Sequence, residues 1–202
     1  MPNWCSNKIA FYSDENSFIL LEAFHSDLQK YLDYKDPKTG ENSDWVGNWL
    51  ESNKVDTESV HCRGFLQSCE LYDTFVRVDM ETAWCPTTEI WDIIAEKYSL
   101  SYVYVSEESG NEVYVNSDAE NRFFSERYIL NYFGLNYLEL DSDTLAKHGE
   151  HLKNLSGVDR YYSGFDEVMC DFVEFGFKAS DIDELNQCLE KFNLQVYEFA
   201  LE

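Results

Sequence analysis

His148 and His151 stand three residues apart with Glu150 between them, a spacing that on a helix turns both imidazoles toward one metal ion. A zinc site needs further ligands, no second paired motif supplies them, and Gly149 weakens the helix. Two exposed histidines on a solvated helix are therefore expected, with no metal and no cofactor. His61, Cys62, Cys69 and Cys85 offer imidazole and thiol chemistry, as a zinc cluster or as a nucleophile with its base. Intervals of seven and sixteen between these cysteines lack the close pair of a zinc ribbon, and strand alternation sends His61 and Cys62 to opposite faces. Packing is their expected role. Asp79 and Glu81 share one strand face, as the carboxylates of a glycosidase must, but Arg77 shares it too and compensates the charge, which reads as a solvated surface. The chain has no nucleophile elbow and no glycine-rich phosphate loop, and nine glycines leave little material for one. Trp84 and Trp91 flank a helix start, where core and staple positions are expected. These residues together predict a protein that is not an enzyme.

The elements that carry them follow from periodicity. Residues 6 to 12 read as an edge strand. Ser13-Asp14-Glu15 then caps a helix whose stripe is Phe18, Leu21, Phe24, Leu28 and Tyr31. Residues 33 to 43, with Pro37 and Gly40, form a loop, and Trp45, Trp49 and Leu50 mark a short helical piece. Strands at 61 to 69 and 73 to 82 meet at a turn over Glu70 to Asp73. Pro86 opens a helix with Ile90, Ile93, Ile94 and Tyr98 buried, and residues 101 to 105 pair with 113 to 115 across Ser109-Gly110-Asn111. This order is the split βαβ, or ferredoxin-like, arrangement with one added hairpin strand. The second half is read as a repeat: a strand at 128 to 133, a helix at 143 to 155, and a strand pair from Tyr161-Tyr162 and 168 to 177. A helix at 181 to 192 with Asp181 and Glu184 as capping box and a strand at 194 to 201 complete it. The fold class expected is α+β, two tandem ferredoxin-like units with antiparallel sheets, domains 1–118 and 119–202, the boundary lying within Ser117 to Arg122.

With 44% hydrophobic and 16% aromatic residues in 202, there is material for real cores, so the charge does not imply disorder. Acidic residues number 39 and basic ones 15, a net charge of -24. That balance argues against direct nucleic-acid binding, which needs lysine and arginine to replace phosphate counterions, and against a negatively charged membrane surface. A basic partner remains. No apolar run approaches the ~20 residues of a membrane span, and Met1-Pro2-Asn3-Trp4-Cys5 lacks the segments of a secretion signal, so a cytoplasmic location is expected. Six scattered cysteines read as free thiols.

The opening Pro2-Asn3-Trp4-Cys5-Ser6-Asn7, then Arg63-Gly64-Phe65, then Glu81-Thr82-Ala83-Trp84-Cys85-Pro86 with Trp91 and Tyr98 downstream, resemble the YubB-like, Api-type proteins of phages and plasmids over roughly residues 1 to 118. The resemblance implies a ferredoxin-like domain and a mobile-element origin, and carries no enzymatic activity. Accessory proteins of that kind often inhibit host defence, acidic ones by occupying a nucleic-acid groove. The expectation is thus a DNA-mimicking inhibitor of a basic nucleic-acid-binding host protein, of the anti-CRISPR or anti-restriction type. Its expected contacts are Asp79, Glu81, Glu107, Glu108 and Glu112 in the first unit and Asp181, Asp183 and Glu184 in the second. The alternative is an interaction module acting through an apolar or aromatic patch, and third an enzyme or metal protein using His148, His151 or the cysteines. Residues 1 to 133 carry ten basic against 24 acidic residues and residues 134 to 202 five against 15, so both parts are acidic. Exposed strand edges in two small sheets are compatible with a homodimer.

Overall fold

The computed structural model describes residues 3–15, 17–32, 34–35, 40, 43–132, 143, 147, 149–150, 154–155 and 159–202. The chain divides into two compact units, Met1–Phe124 with Leu201–Glu202, and Ser125–Ala200. Both are mixed α+β with antiparallel strand pairs.

In the first unit β1 (Trp4–Tyr12) leads to α1 (Phe18–Leu32), the short α2 (Gly47–Ser52), β2 (Gly64–Leu71) and β3 (Phe75–Ala83). Then come α3 (Thr88–Tyr98), β4 (Ser101–Glu108) and β5 (Val113–Asn116). The sheet order is β2-β3-β1-β4-β5-β9, where β9 is Ala200–Leu201. Central β1 runs antiparallel to both β3 and β4, β3 to β2, and β4 to β5.

Alternation along the strands decides which face is buried. Ile9 and Phe11 of β1, Val76, Val78 and Met80 of β3, and Leu66 and Cys69 of β2 turn inward, under Leu21, Phe24 and Leu28 of α1 and Ile90, Trp91 and Ile94 of α3. An irregularity between Leu66 and Ser68 lets both Leu66 and Cys69 face the core despite their odd separation. Helix α1 starts four residues later than expected: Ser17 receives the first helical bonds, and the Ser13 hydroxyl accepts from the Ser17 N–H at 3.2 Å. Phe18, placed in the stripe by spacing, is 45% exposed because it occupies the first turn. His61 and Cys62 precede β2, which begins only at Gly64, so strand alternation does not govern them.

The expected boundary near Ser117 to Arg122 falls within the first unit, which runs on to Phe124. Asp118 is buried and its carboxylate accepts from the Phe123 and Phe124 N–H groups at 2.6 and 2.9 Å. Phe123 stacks on Tyr12, and the Arg122 guanidinium lies 4.3 Å from the centre of the Tyr12 ring.

The second unit holds β6 (Tyr128–Tyr132), β7 (Arg160–Tyr162), α4 (Phe165–Phe172), α5 (Ile182–Leu189) and β8 (Leu194–Glu198) in a sheet of order β7-β6-β8. The strand expected at 168 to 177 is instead α4 and a 3-10 turn, Val173–Phe175. Phe165, Val168 and Phe172 recur at helical steps, and Val168 and Phe172 enter a core with Leu185, Leu189 and Val196. Of the helix expected over 143 to 155, the described positions 143, 147, 149, 150, 154 and 155 are helical, and His148 and His151 lie outside the described residues. Among the described residues no helix is long and apolar enough to cross a membrane.

Candidate functional site: an acidic flank and the strand ends beside it

The helices cover one face of the first sheet, and the register fixes which side chains emerge from the other. Glu81 of β3 and Glu107 of β4 both stand opposite Ser6 of β1. Asp79 stands opposite Lys8, and Arg77 opposite Ala10. Side chains directly opposite share a face, so Glu107 joins Asp79 and Glu81 there, with Arg77 and Lys8 among them. The Arg77 Nε donates to Asp79 Oδ1 at 2.9 Å, and the Ser68 hydroxyl to Asp79 Oδ2 at 2.8 Å. Asp79 is therefore compensated within its own strand, while Glu81 is exposed and accepts a long 3.4 Å contact from Gln67 Nε2.

The remaining expected contacts divide. Glu108 is a correction: only 5% exposed, it points to the helix side, and its two oxygens accept from the Gly110 and Asn111 N–H groups at 2.6 and 2.8 Å. That carboxylate closes the β4–β5 turn instead of meeting a partner. Glu112 is exposed in the same turn with φ +55. Asp181 caps α5 by accepting from the Glu184 N–H at 2.9 Å, the first half of the expected capping box, while Glu184 accepts at 2.8 Å from the N–H of Ser180, the residue before the cap, in place of that of Asp181. Asp183 is exposed beside them.

A larger concentration of charge lies in α3, β4, β5 and the loop that follows. Residues 88–121 hold eight acidic residues and one basic, a net of -7, whereas residues 1–87 hold fifteen against seven, a net of -8 over a stretch more than twice as long. Glu89, Asp92, Glu96, Glu112 and Glu120 are exposed and Glu107 is half-buried, with Glu108 and Asp118 inside. Lys97 is the one base between Arg77 and Arg122, a spacing open to reading in the sequence that would have added Glu89, Asp92, Glu96 and Glu120 to the candidates.

Lys97, the exception, is engaged by Asn53, Trp49 and Tyr98. Its ammonium donates to Asn53 Oδ1 and lies 5.6 Å from the Trp49 ring centre and 5.4 Å from that of Tyr98. There a cleft of about 460 Å³ opens, lined in part by Asp27, Lys30, Tyr31, Asn53 and Lys97. Burial pushes the Asp27 carboxyl up, but hydrogen bonds from Tyr98, Lys30 and Trp49 outweigh it and hold the group below the usual aspartate value. Three helices end at this cleft, and lysines there answer the negative ends of the helix dipoles, which is a structural role.

At the end of the sheet where Trp4 and Ala83 pair, the three motif segments converge. Asn7, fully buried, donates to the Cys5 and Met80 carbonyls and to the Thr82 hydroxyl at 2.9 to 3.1 Å, and accepts from the Ser106 hydroxyl at 2.7 Å. Thr82 in turn donates to the Cys85 carbonyl at 2.7 Å. Trp84, expected in the core, is 46% exposed, while Trp91 is fully buried as expected. Trp4 is 40% exposed and meets Phe65 edge-on at 5.4 Å.

The thiols divide by burial. Cys5 and Cys69 are buried and burial pushes each up to about 12, Cys62 and Cys188 are half-buried, and Cys85 and Cys170 are exposed. Among the described residues, no group of three histidine, cysteine or acidic side chains is placed to hold a metal ion. No family model, no curated protein and no solved structure matches the chain.

Proposed function

We propose that this protein is a non-enzymatic inhibitor that binds, through carboxylates, the basic nucleic-acid-binding surface of a host defence protein. The observation that carries this reading is the stretch 88–121, spanning α3, β4, β5 and the following loop, with eight acidic residues to one basic and six of the eight outside the interior. A protein that imitates a polynucleotide must gather anions, and this stretch carries a net of -7 where residues 1–87 carry -8 over more than twice the length. The Api-type resemblance supports a phage or plasmid origin, and with it a CRISPR effector complex or restriction enzyme as target. The order β2-β3-β1-β4, with α1 and α3 over one face, supports a ferredoxin-like reading of the first unit. In the second unit α4 stands where that plan needs a strand, so the tandem repeat has support only in its first half.

The test is a mobility-shift assay in which a panel of CRISPR effector complexes and restriction endonucleases binds DNA with and without this protein. Inhibition that weakens steeply as salt rises supports the reading. Inhibition indifferent to salt favours instead an interaction module working through Trp4, Phe65 and Trp84, a second reading suggested by the exposure of both indoles.

A further inference from the structure

Of the five arginines in the chain, four are engaged within the fold. Arg77 and Arg160 donate to Asp79 and Asp171, Arg127 donates to the Glu126 carbonyl, and Arg122 lies over the Tyr12 ring. The exposed guanidinium of Arg63, just before β2, has no such partner among the described residues. It stands instead at a pocket of about 300 Å³ lined by Trp45, Val60, His61, Cys62 and Arg63 itself.

The walls of this pocket are held in place. The Trp45 indole N–H donates to the Cys62 carbonyl at 2.8 Å, and Gly47 lies so close to the ring that a Cβ there would fall 2.1 Å from it. Only glycine leaves the indole that position. The backbone on either side is tied together, with the Val46 N–H donating to the Gly64 carbonyl at 3.0 Å and the Leu66 N–H to the Asp44 carbonyl at 2.8 Å. Val60 and Cys62 rest on the core of the first unit. The His61 N–H donates to the Glu89 carboxylate at 3.3 Å, which fixes the segment against α3 and leaves the imidazole, like the guanidinium, without a partner among the described residues.

The lining names a ligand. An indole wall beside Val60 and Cys62 takes an apolar body, and an aromatic ring gains most there. Arg63 is a permanent cation whose planar fork matches a carboxylate, and His61 adds a donor next to it. A cationic ligand meets Arg63 as a like charge. The volume lies at the lower end of the range for ligand pockets, so the molecule is small.

We infer that this pocket binds a small aromatic carboxylate, with the ring against Trp45 and the carboxylate on Arg63. The site uses none of the acidic residues of the proposed inhibitor surface, so either can fail without the other. The experiment is a titration of the whole protein, wild type and Arg63→Gln, with phenylacetate, phenylacetamide, acetate and a short peptide ending in phenylalanine, followed by NMR of the backbone and indole N–H groups. An ionic strength of about 0.15 M screens the net charge of -24 beyond about 8 Å. Phenylacetate should shift the Trp45 indole N–H and the Gly64 amide with a Kd on the order of 1 mM. Phenylacetamide and acetate should bind at least about tenfold more weakly, the scale of one charge-assisted hydrogen bond. Arg63→Gln should bring phenylacetate down to the level of the amide and leave the amide unchanged, which also shows that the variant is folded. Equal binding of acid and amide in the wild type, acid binding that survives Arg63→Gln, shifts confined to residues away from the pocket, or binding of no probe overturns the site. A peptide that binds better than phenylacetate overturns the free acid as its occupant.

Discussion

Trp84 has φ +74, and a left-handed backbone under a tryptophan costs about 1–2 kcal/mol relative to glycine. Trp84→Gly should therefore be more stable than Trp84→Ala by roughly 1 kcal/mol, although both lose the same ring. Urea midpoints of the two variants check this, and an equal or reversed order would show that the residue is not left-handed in solution. Nothing in the sequence announces this conformation, because neither glycine nor asparagine stands at position 84, and residue type with the nearby helix start points to burial. Asn7 was equally silent: a polar residue in a strand reads as solvent-facing until the register places it opposite Ser106 at the sheet centre. The thiols carry a pH prediction. A group protonated in the fold and ionised in the unfolded chain makes the native state hold more protons, so stability is full below the unfolded value of 9.0 and falls as pH rises toward about 12. Melting should thus drop between about pH 8 and about pH 10.5, and drop less in Cys69→Ala than in the wild type. An equal drop in both would show that Cys69 is not the group responsible.

Among the elements, the β4–β5 turn depends on Glu108. Glu108→Ala leaves the Gly110 and Asn111 N–H groups without their acceptor and should cost about 1–3 kcal/mol, the range for unsatisfied buried partners. A denaturation midpoint unchanged from wild type would show that the carboxylate is not the turn's clasp. Asp181→Ala removes the cap of α5 at a cost of about 1 kcal/mol, seen as faster amide exchange in α5 and not in α3. Uniform exchange in both helices would contradict it. Elements with clean alternation, such as β3, and the capped helix α5 were legible because one local rule decided each. The segment at 168–177 was misread because Val168, Phe172, Phe175 and Phe177 satisfy strand preference as well as helical spacing. The signal that separates the two is upstream, where Ser163 bonds to the Glu167 carboxylate through both its N–H, at 2.8 Å, and its hydroxyl, at 2.9 Å, to start α4.

At the scale of the whole molecule, composition gives the sign of the charge but not its placement. Choosing acidic residues strand by strand found Asp79, which Arg77 neutralises, and Glu108, which is buried, because a linear string does not show which carboxylates the fold consumes. The spacing of bases along the chain is the better guide, since Lys97 is the one base between Arg77 and Arg122, a stretch that holds α3, β4 and β5. The most direct test of that flank is the salt-dependent inhibition of DNA binding by the susceptible defence enzyme, comparing the wild type with a variant carrying Glu96→Gln, Glu107→Gln, Glu112→Gln and Glu120→Gln. The variant should keep the wild-type fold and lose at least tenfold in inhibitory potency, with a shallower dependence on salt. Equal potency and an equal salt slope in the two proteins would contradict the account.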